Sequence, residues 1–197
     1  MKRLNVANNQ LDEICKELGD CVALEYLDIS ENNIKALPVQ LGQSRNLRSL
    51  IARKNQIQAF SAALCSISSL TELNLEENKL LTVPAEIGQY SDMLILNLSC
   101  NSLKELPDTI TKLGKLEDLN LNDNALIQTL PSFSNFPNIK KLGIRNLQVR
   151  QLNSFFPDVK MNLVNVTNNI IALLMIDYFL GPIYWYFSWF GRVGFES

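Results

Sequence analysis

Residues 73–80 read LNLEENKL, and this pattern recurs along the chain at a constant interval of 23 residues. The related segments are LNVANNQL at 4–11, LDISENNI at 27–34, LIARKNQI at 50–57, LNLSCNSL at 96–103 and LNLNDNAL at 119–126. A seventh segment, LGIRNLQV at 142–149, is degenerate because Leu147 stands where the others have asparagine. A strict register of this kind is typical of a protein built from stacked repeats.

The first residues of the pattern, L-x-L, predict a short strand. Alternate side chains of a strand point to opposite faces, so both aliphatic residues enter a core and the residue between them faces outward. The chain then turns away, and its backbone groups lose their partners in the sheet. A buried asparagine can bond such groups with both its carbonyl and its amide group. We therefore predict a structural ladder of asparagines, made by Asn9, Asn32, Asn55, Asn78, Asn101 and Asn124.

The second half of each unit predicts a return to the next strand. Three returns contain an early proline, which suits an extended turn or the first turn of a helix. They are LPVQLG at 37–42, VPAEIG at 83–88 and LPDTIT at 106–111. The glycines Gly42, Gly88 and Gly114 are interpreted as tight local turns.

The spacing of Ile110, Leu113 and Leu116 suits a short helix with one buried face. No unit can bury its apolar face alone, so the units must stack. The predicted fold class is α/β, a right-handed solenoid. A curved parallel sheet forms its concave face, and short helical or irregular returns form its convex face.

These repeats resemble the leucine-rich-repeat family over residues 4–152. The 23-residue variant with LPxxI returns is similar to the intracellular Ras-suppressor and LAP-type class, which includes Scribble and erbin. That resemblance implies a non-enzymatic scaffold in cell polarity, adhesion or small-GTPase signalling. The cysteine-rich flanks of extracellular relatives are missing, which favours the cytoplasmic branch. Leu4 follows Met1 so closely that no N-terminal capping unit fits, so we expect a fragment or a shortened array.

The composition argues against several classes of function. A net charge of -2 gives no excess of basic residues, which argues against binding of nucleic acid. The chain has no histidine, and its four cysteines form no CxxC pair, so no metal site and no cofactor are predicted. There is no glycine-rich phosphate loop and no GxSxG motif, so no catalytic residue is assigned.

The outward strand positions are the candidate surface for a protein partner. We expect Arg53 and Lys54 to lie between one acidic row, Asp28 with Glu31, and another made of Glu76 and Glu77. Two interpretations stay open, a solvated surface with weak ion pairs and a specific binding patch. The candidate partner-binding residues are Asp28, Glu31, Arg53, Lys54, Glu76, Glu77, Asn97, Asn120, Asp123 and Arg145.

The composition changes after the last repeat. We predict a solenoid over 1–152, with units starting near Leu4, Leu27, Leu50, Leu73, Leu96, Leu119 and the degenerate Leu142. A transition segment follows at 153–169, then a hydrophobic aromatic segment at 170–190 and a polar tail at 191–197. The 21 residues of the aromatic segment are about as long as a membrane helix. It is read as a tail anchor, as a cap on the last repeat, or as an alternative terminus.

The predicted function is protein-protein interaction through the concave face, as a non-enzymatic scaffold or adaptor in the cytoplasm. The second hypothesis is a recognition protein of the same fold that contacts the membrane through 170–190. The third is part of a larger signalling enzyme whose catalytic domain lies elsewhere. The identity of the protein partner does not follow from the sequence.

Overall fold

The computed structural model describes residues 1–132, 136–149 and 163–165 of the chain. Within these residues eight short strands form one parallel sheet, ordered as they occur in the chain. They are β1 (Arg3–Asn5), β2 (Tyr26–Asp28), β3 (Ser49–Ile51), β4 (Glu72–Asn74), β5 (Ile95–Asn97), β6 (Asp118–Asn120), β7 (Lys141–Gly143) and β8 (Leu163–Asn165). The predicted α/β solenoid is confirmed, and its repeats are numbered one to seven here from β1 to β7.

The register of the sheet places equivalent residues of successive repeats side by side. Leu4 is the partner of Leu27, and Leu27 is the partner of Leu50. The same row continues through β7, where Leu119 faces Leu142. From Leu27 onward the described members of this row are almost completely buried. One line of leucines therefore forms the sheet side of the core.

Within the described part of the chain, five 3-10 helices form the returns of the first five repeats on the convex face. They are η1 (Lys16–Asp20), η2 (Val39–Gln43), η3 (Ala62–Ser66), η4 (Ala85–Gln89) and η5 (Asp108–Lys112). The prolines Pro38, Pro84 and Pro107 directly precede η2, η4 and η5 in extended conformation. In the third repeat Ser61 takes this place, and its hydroxyl accepts a hydrogen bond from the N–H of Ala63. The helices are short, so η5 ends before Leu113 and Leu116, which are buried in the turn that follows.

The strand β8 lies in the predicted transition segment at 153–169. Its central residue Val164 is the strand partner of Leu142. The sequence interval between the two is one residue shorter than the usual 23 residues. Residues 164–169 read VNVTNN, which fits the repeat pattern with valines at both aliphatic positions and Asn169 at the asparagine position. Searching only for leucine at an interval of 23 residues misses this unit.

Gly42 and Gly88 lie within η2 and η4, and Gly114 lies in the turn after η5. No described glycine has a positive φ, whereas the residue before the asparagine position does in every repeat. Those residues are Asn8, Glu31, Lys54, Glu77, Cys100, Asp123 and Asn146. Left-handed backbone is unfavourable for residues with a Cβ. Backbone hydrogen bonds to the next repeat stabilise it at these positions of the first six repeats. The N–H of Glu31 donates to the carbonyl of Arg53 at 2.9 Å, and the N–H of Lys54 donates to Glu76 at 2.8 Å.

The hydrophobic segment at 170–190 lies outside the described residues, as do most of 153–169 and all of 191–197. Within the described ranges, no helix combines the length and the apolar character needed to cross a bilayer.

Ser44 is a buried polar residue that is expected to destabilise the described core. It is fully buried, and its hydroxyl has no hydrogen-bond partner among the described residues. The equivalent positions of other repeats hold Cys21, Ile67 and Leu113, and Tyr90, whose hydroxyl donates to the carbonyl of Leu64 at 2.9 Å. A buried polar group without a partner is destabilising.

We therefore expect Ser44→Cys to raise the free energy of unfolding by about 1 kcal/mol. The thiol branches from Cβ in the same way as the hydroxyl, is somewhat larger, and has a smaller desolvation cost. Urea unfolding followed by circular dichroism under reducing conditions measures the change. Ser68→Cys, at an exposed position, controls for the added thiol and should leave the midpoint unchanged. A midpoint below that of the parent protein would contradict the assignment.

Candidate functional site

The asparagine side chains join each repeat to the one before it. Asn78 donates from Nδ2 to the carbonyl of Ala52 at 2.9 Å and to that of Leu75 at 3.1 Å. Its Oδ1 accepts from the N–H of Ile57 at 3.0 Å. Asn32, Asn55, Asn101 and Asn124 repeat this arrangement in their own turns. These five buried asparagines therefore serve the framework and offer little to a ligand.

Asn9 differs from the other asparagines because it is exposed. Its Nδ2 donates to the carbonyls of Val6 and Ala7 within its own turn. It therefore makes the local half of the arrangement, and the described residues contain no earlier repeat for the other half.

A second row of side-chain hydrogen bonds uses three of the candidate partner-binding residues. The Oδ1 of Asp28 accepts from the N–H of Ser30 at 3.0 Å and from its hydroxyl at 2.6 Å. Asn97 accepts in the same way from Ser99, at 3.1 and 2.7 Å. Asn120 accepts from the N–H of Asn122 at 3.1 Å. These oxygens close the turn that ends each strand, so they are already engaged on the surface where a partner would bind.

The candidate residues occupy three positions along each repeat. Asp28, Asn97 and Asn120 are the last residues of their strands. Arg53, Glu76 and Arg145 follow two residues after the strand ends, and Glu31, Lys54, Glu77 and Asp123 occupy the left-handed position next to them. The last two groups are therefore turn residues along one edge of the sheet, although the sequence pattern suggested strand positions.

One row of outward strand residues was missing from the prediction. It precedes the first leucine of each repeat and consists of Arg3, Tyr26, Ser49, Glu72, Ile95, Asp118 and Lys141. The alternation that assigns Asp28 to the outward face assigns Tyr26 to it as well, because they flank the buried Leu27. The pattern L-x-L begins at the leucine, so it does not include the outward residue that precedes it.

Arg53 and Lys54 pair with only one of the two predicted acidic rows. The guanidinium of Arg53 lies 3.1 Å from Glu31 Oε1, and the ammonium of Lys54 lies 3.4 Å from the same oxygen. No ion pair within the described residues joins either base to Glu76 or Glu77. These side chains remain substantially exposed, so their contribution to stability is small, about 0 to 1 kcal/mol.

Cys65 and Cys100 carry no sign of activation. Cys65 is buried, and burial raises the pKa of its thiol to about 11. The Sγ of Cys100 lies 4.0 Å from a carboxylate oxygen of Asp123. Burial, followed by the negative charge of Asp123, raises the pKa of the Cys100 thiol, which disfavours the reactive thiolate. The part of the chain that the structure describes also contains no group of side chains able to hold a metal ion.

Comparisons with known proteins agree with this geometry. The family description "Leucine rich repeat" matches residues 1–57, 68–126 and 92–149. A search of curated proteins finds no match to the chain.

Several solved structures share the fold. The ectodomain of the plant receptor kinase GASSHO1/SCHENGEN3 from Arabidopsis thaliana, in complex with CASPARIAN STRIP INTEGRITY FACTOR 2, is 29% identical with a TM-score of 0.69. That match covers 86% of this chain and 21% of the receptor chain. The structure of PEPR1-AtPEP1 has a TM-score of 0.78 at 23% identity, covering 86% and 25% of the two chains. An internalin from Listeria monocytogenes has a TM-score of 0.65 at 19% identity, covering 86% and 55%. The chain therefore spans from about a fifth to about half of these proteins.

Proposed function

Because the chain belongs to the leucine-rich-repeat family, we propose that it is a scaffold or adaptor that binds a protein partner on its concave face. The observation that carries this proposal is a charged sheet surface whose framework is held by buried leucines and asparagines. A surface of this kind is formed before binding, so little conformational entropy is lost when a partner docks. The proposal includes no catalytic step.

Two further considerations support the proposal. The GASSHO1/SCHENGEN3 ectodomain was solved as a complex with a second component. The LPxxI returns favour placement among the intracellular Ras-suppressor and LAP-type proteins, which we propose as the subclass and as the reason for a cytoplasmic location. Membrane attachment through 170–190 is a separate proposal that rests on the composition of that segment.

Reversing the charge of Arg53 and Lys54 tests the concave face. We expect the double variant Arg53→Glu with Lys54→Glu to lose most of the proteins that proximity labelling in cells detects around the parent. The fold should tolerate both changes, because the fourth repeat carries Glu76 and Glu77 at the same positions. Thermal unfolding should therefore change only modestly, by about 1 to 2 kcal/mol, from the loss of weak surface pairs and from repulsion between the new glutamates and their acidic neighbours.

The matched control reverses two charges on the convex face, Lys16→Glu in η1 and Lys112→Glu in η5. It should retain the labelled proteins. If the concave and convex variants label the same proteins as the parent, recognition through Arg53 and Lys54 is wrong.

A further inference from the structure

Among the described residues, five acidic side chains in and next to the strands are paired with a base in a neighbouring repeat. In the second repeat Glu31 pairs with Arg53, and Glu25 lies 2.8 Å from the ammonium of Lys2. The sixth and seventh repeats supply three more pairs, in which bases of the seventh repeat neutralise acids of the sixth. These pairs are Glu117 with Lys140, Asp118 with Lys141, and Asp123 with Arg145.

The fourth repeat departs from this pattern. It presents Glu72, Glu76 and Glu77, and no ion pair within the described residues involves any of the three. Glu72 accepts a hydrogen bond from the hydroxyl of Ser49 at 2.7 Å, and Glu76 accepts one from the amide of Asn97 at 3.3 Å. Both partners are neutral, so these three carboxylates form no direct ion pair, although Arg53 and Lys54 lie in the adjacent repeat and pair with Glu31 instead.

The fifth repeat, directly beside these carboxylates, presents two exposed aliphatic side chains. Leu94 is 39% exposed and Ile95 is 40% exposed. Ile95 is the strand partner of Glu72 on one side and of Asp118 on the other. Neighbouring strands lie about 4.8 Å apart, so Ile95 lies directly beside Glu72. Glu76 and Glu77 follow the end of the same strand, beside the turn of the fifth repeat at Ser99 and Cys100.

The fold does not require aliphatic residues at these two places. The position of Leu94 holds Lys2, Glu25, Arg48, Thr71, Glu117 and Lys140 in the other repeats. The position of Ile95 holds no other aliphatic residue between β1 and β7. The backbone of Leu94 makes its inter-repeat bonds to Thr71, Glu117 and Asp118 without using its side chain. An exposed apolar pair without a framework role points to contact with another molecule.

We propose that the fourth and fifth repeats form a docking site for an extended protein segment in which an aliphatic residue lies next to lysine or arginine. This inference rests on the proposed function and names the chemistry of the partner. The aliphatic side chain packs on Leu94 and Ile95, and the cation pairs with Glu72 or, further along the segment, with Glu76 and Glu77. Charge complementarity selects the segment, because a neutral or acidic one leaves the carboxylates unpaired as their water is displaced.

The test begins with a phage-displayed library of random twelve-residue peptides selected on the immobilised full chain. We expect the enriched peptides to place leucine, isoleucine or valine within two residues of lysine or arginine. Enrichment of peptides without this pair, or no enrichment, overturns the proposal. The best peptide is then measured against the parent and its variants by fluorescence polarisation, at low and high salt.

The variants are chosen so that the fold already accepts them. Glu76→Lys with Glu77→Lys resembles Arg53 and Lys54, and Ile95→Ser copies Ser49. Each should weaken the peptide by about tenfold or more, and salt should weaken binding to the parent. The matched controls on the convex face are Glu86→Lys and Val39→Ser, which should change affinity by less than about twofold. Equal effects of concave and convex variants overturn the proposal.

Proximity labelling separates this inference from the proposed function. If the Glu76 and Glu77 reversal leaves the labelled proteins unchanged while the Arg53 and Lys54 reversal removes them, the scaffold stands and the docking site is wrong. If neither concave variant changes the labelled proteins, both proposals fail.

Discussion

Replacing Asn78 with leucine is expected to lower the free energy of unfolding by about 3 kcal/mol. The asparagine donates to the carbonyl of Ala52 and accepts from the N–H of Ile57, both in the preceding repeat. Leucine has the right size but neither donates nor accepts, so the N–H of Ile57 is left without an acceptor in a fully buried place. An unpaired buried donor costs more than an ordinary hydrogen bond contributes.

The chain supplies a matched control in Asn9→Leu. Asn9 is exposed and donates only to carbonyls of its own turn, so its loss should cost less than about 1 kcal/mol. Urea unfolding by circular dichroism compares the two variants. The Asn78 variant should also unfold less cooperatively, because the bonds it loses couple the third repeat to the fourth. An Asn78 variant no less stable than the Asn9 variant would contradict the ladder.

Gly42→Ala is expected to lower the free energy of unfolding by about 3 kcal/mol, because the added methyl group has no space. A Cβ at Gly42 would lie 2.3 Å from the carbonyl oxygen of Ala63 and 2.9 Å from the hydroxyl oxygen of Ser66. The closer of these atoms belongs to the backbone, so η2 and η3 would have to separate. Overpacking that moves backbone strains the native state directly.

Gly114→Ala is the control, because the nearest atom to its added Cβ is the carbonyl oxygen of Lys112 at 4.0 Å. Without a clash, the substitution should change stability by less than about 1 kcal/mol. Thermal unfolding compares the variants, and hydrogen exchange should show the first two repeats of the Gly42 variant opening before the rest. Equal melting temperatures for the two variants would contradict the prediction, because they would show that η2 and η3 accommodate the added methyl group without loss of stability.

The repeat itself could be predicted from local chemistry alone. Each unit contacts mainly its neighbours, so one pattern of leucines and asparagines specifies strand, turn and stacking in every unit. Departures from the pattern were harder to see. The eighth strand escaped because Val164 replaces leucine at a shorter interval. The left-handed residues had no signature, because asparagine, glutamate, lysine, cysteine and aspartate all occupy that position.

The candidate binding surface was predicted only in part, for a related reason. Periodicity assigns side chains to a face, and extending it by one residue would have added Tyr26 and Ile95. Periodicity does not say which neighbour a long side chain contacts. Lys54 is flanked by acids on both sides, and its ammonium lies beside Glu31.

The sequence by itself determined the fold and the register of the first seven strands, because these follow from a period repeated in each of those units. Only the tertiary structure decided which of those positions tolerate change. Gly42, Cys65, Gly88 and Thr111 occupy one position of the repeat. Glycine is required at Gly42 and Gly88 because there the next return approaches within contact distance of the backbone. That requirement arises from the distances between neighbouring returns. The repeat pattern in the sequence does not encode these distances.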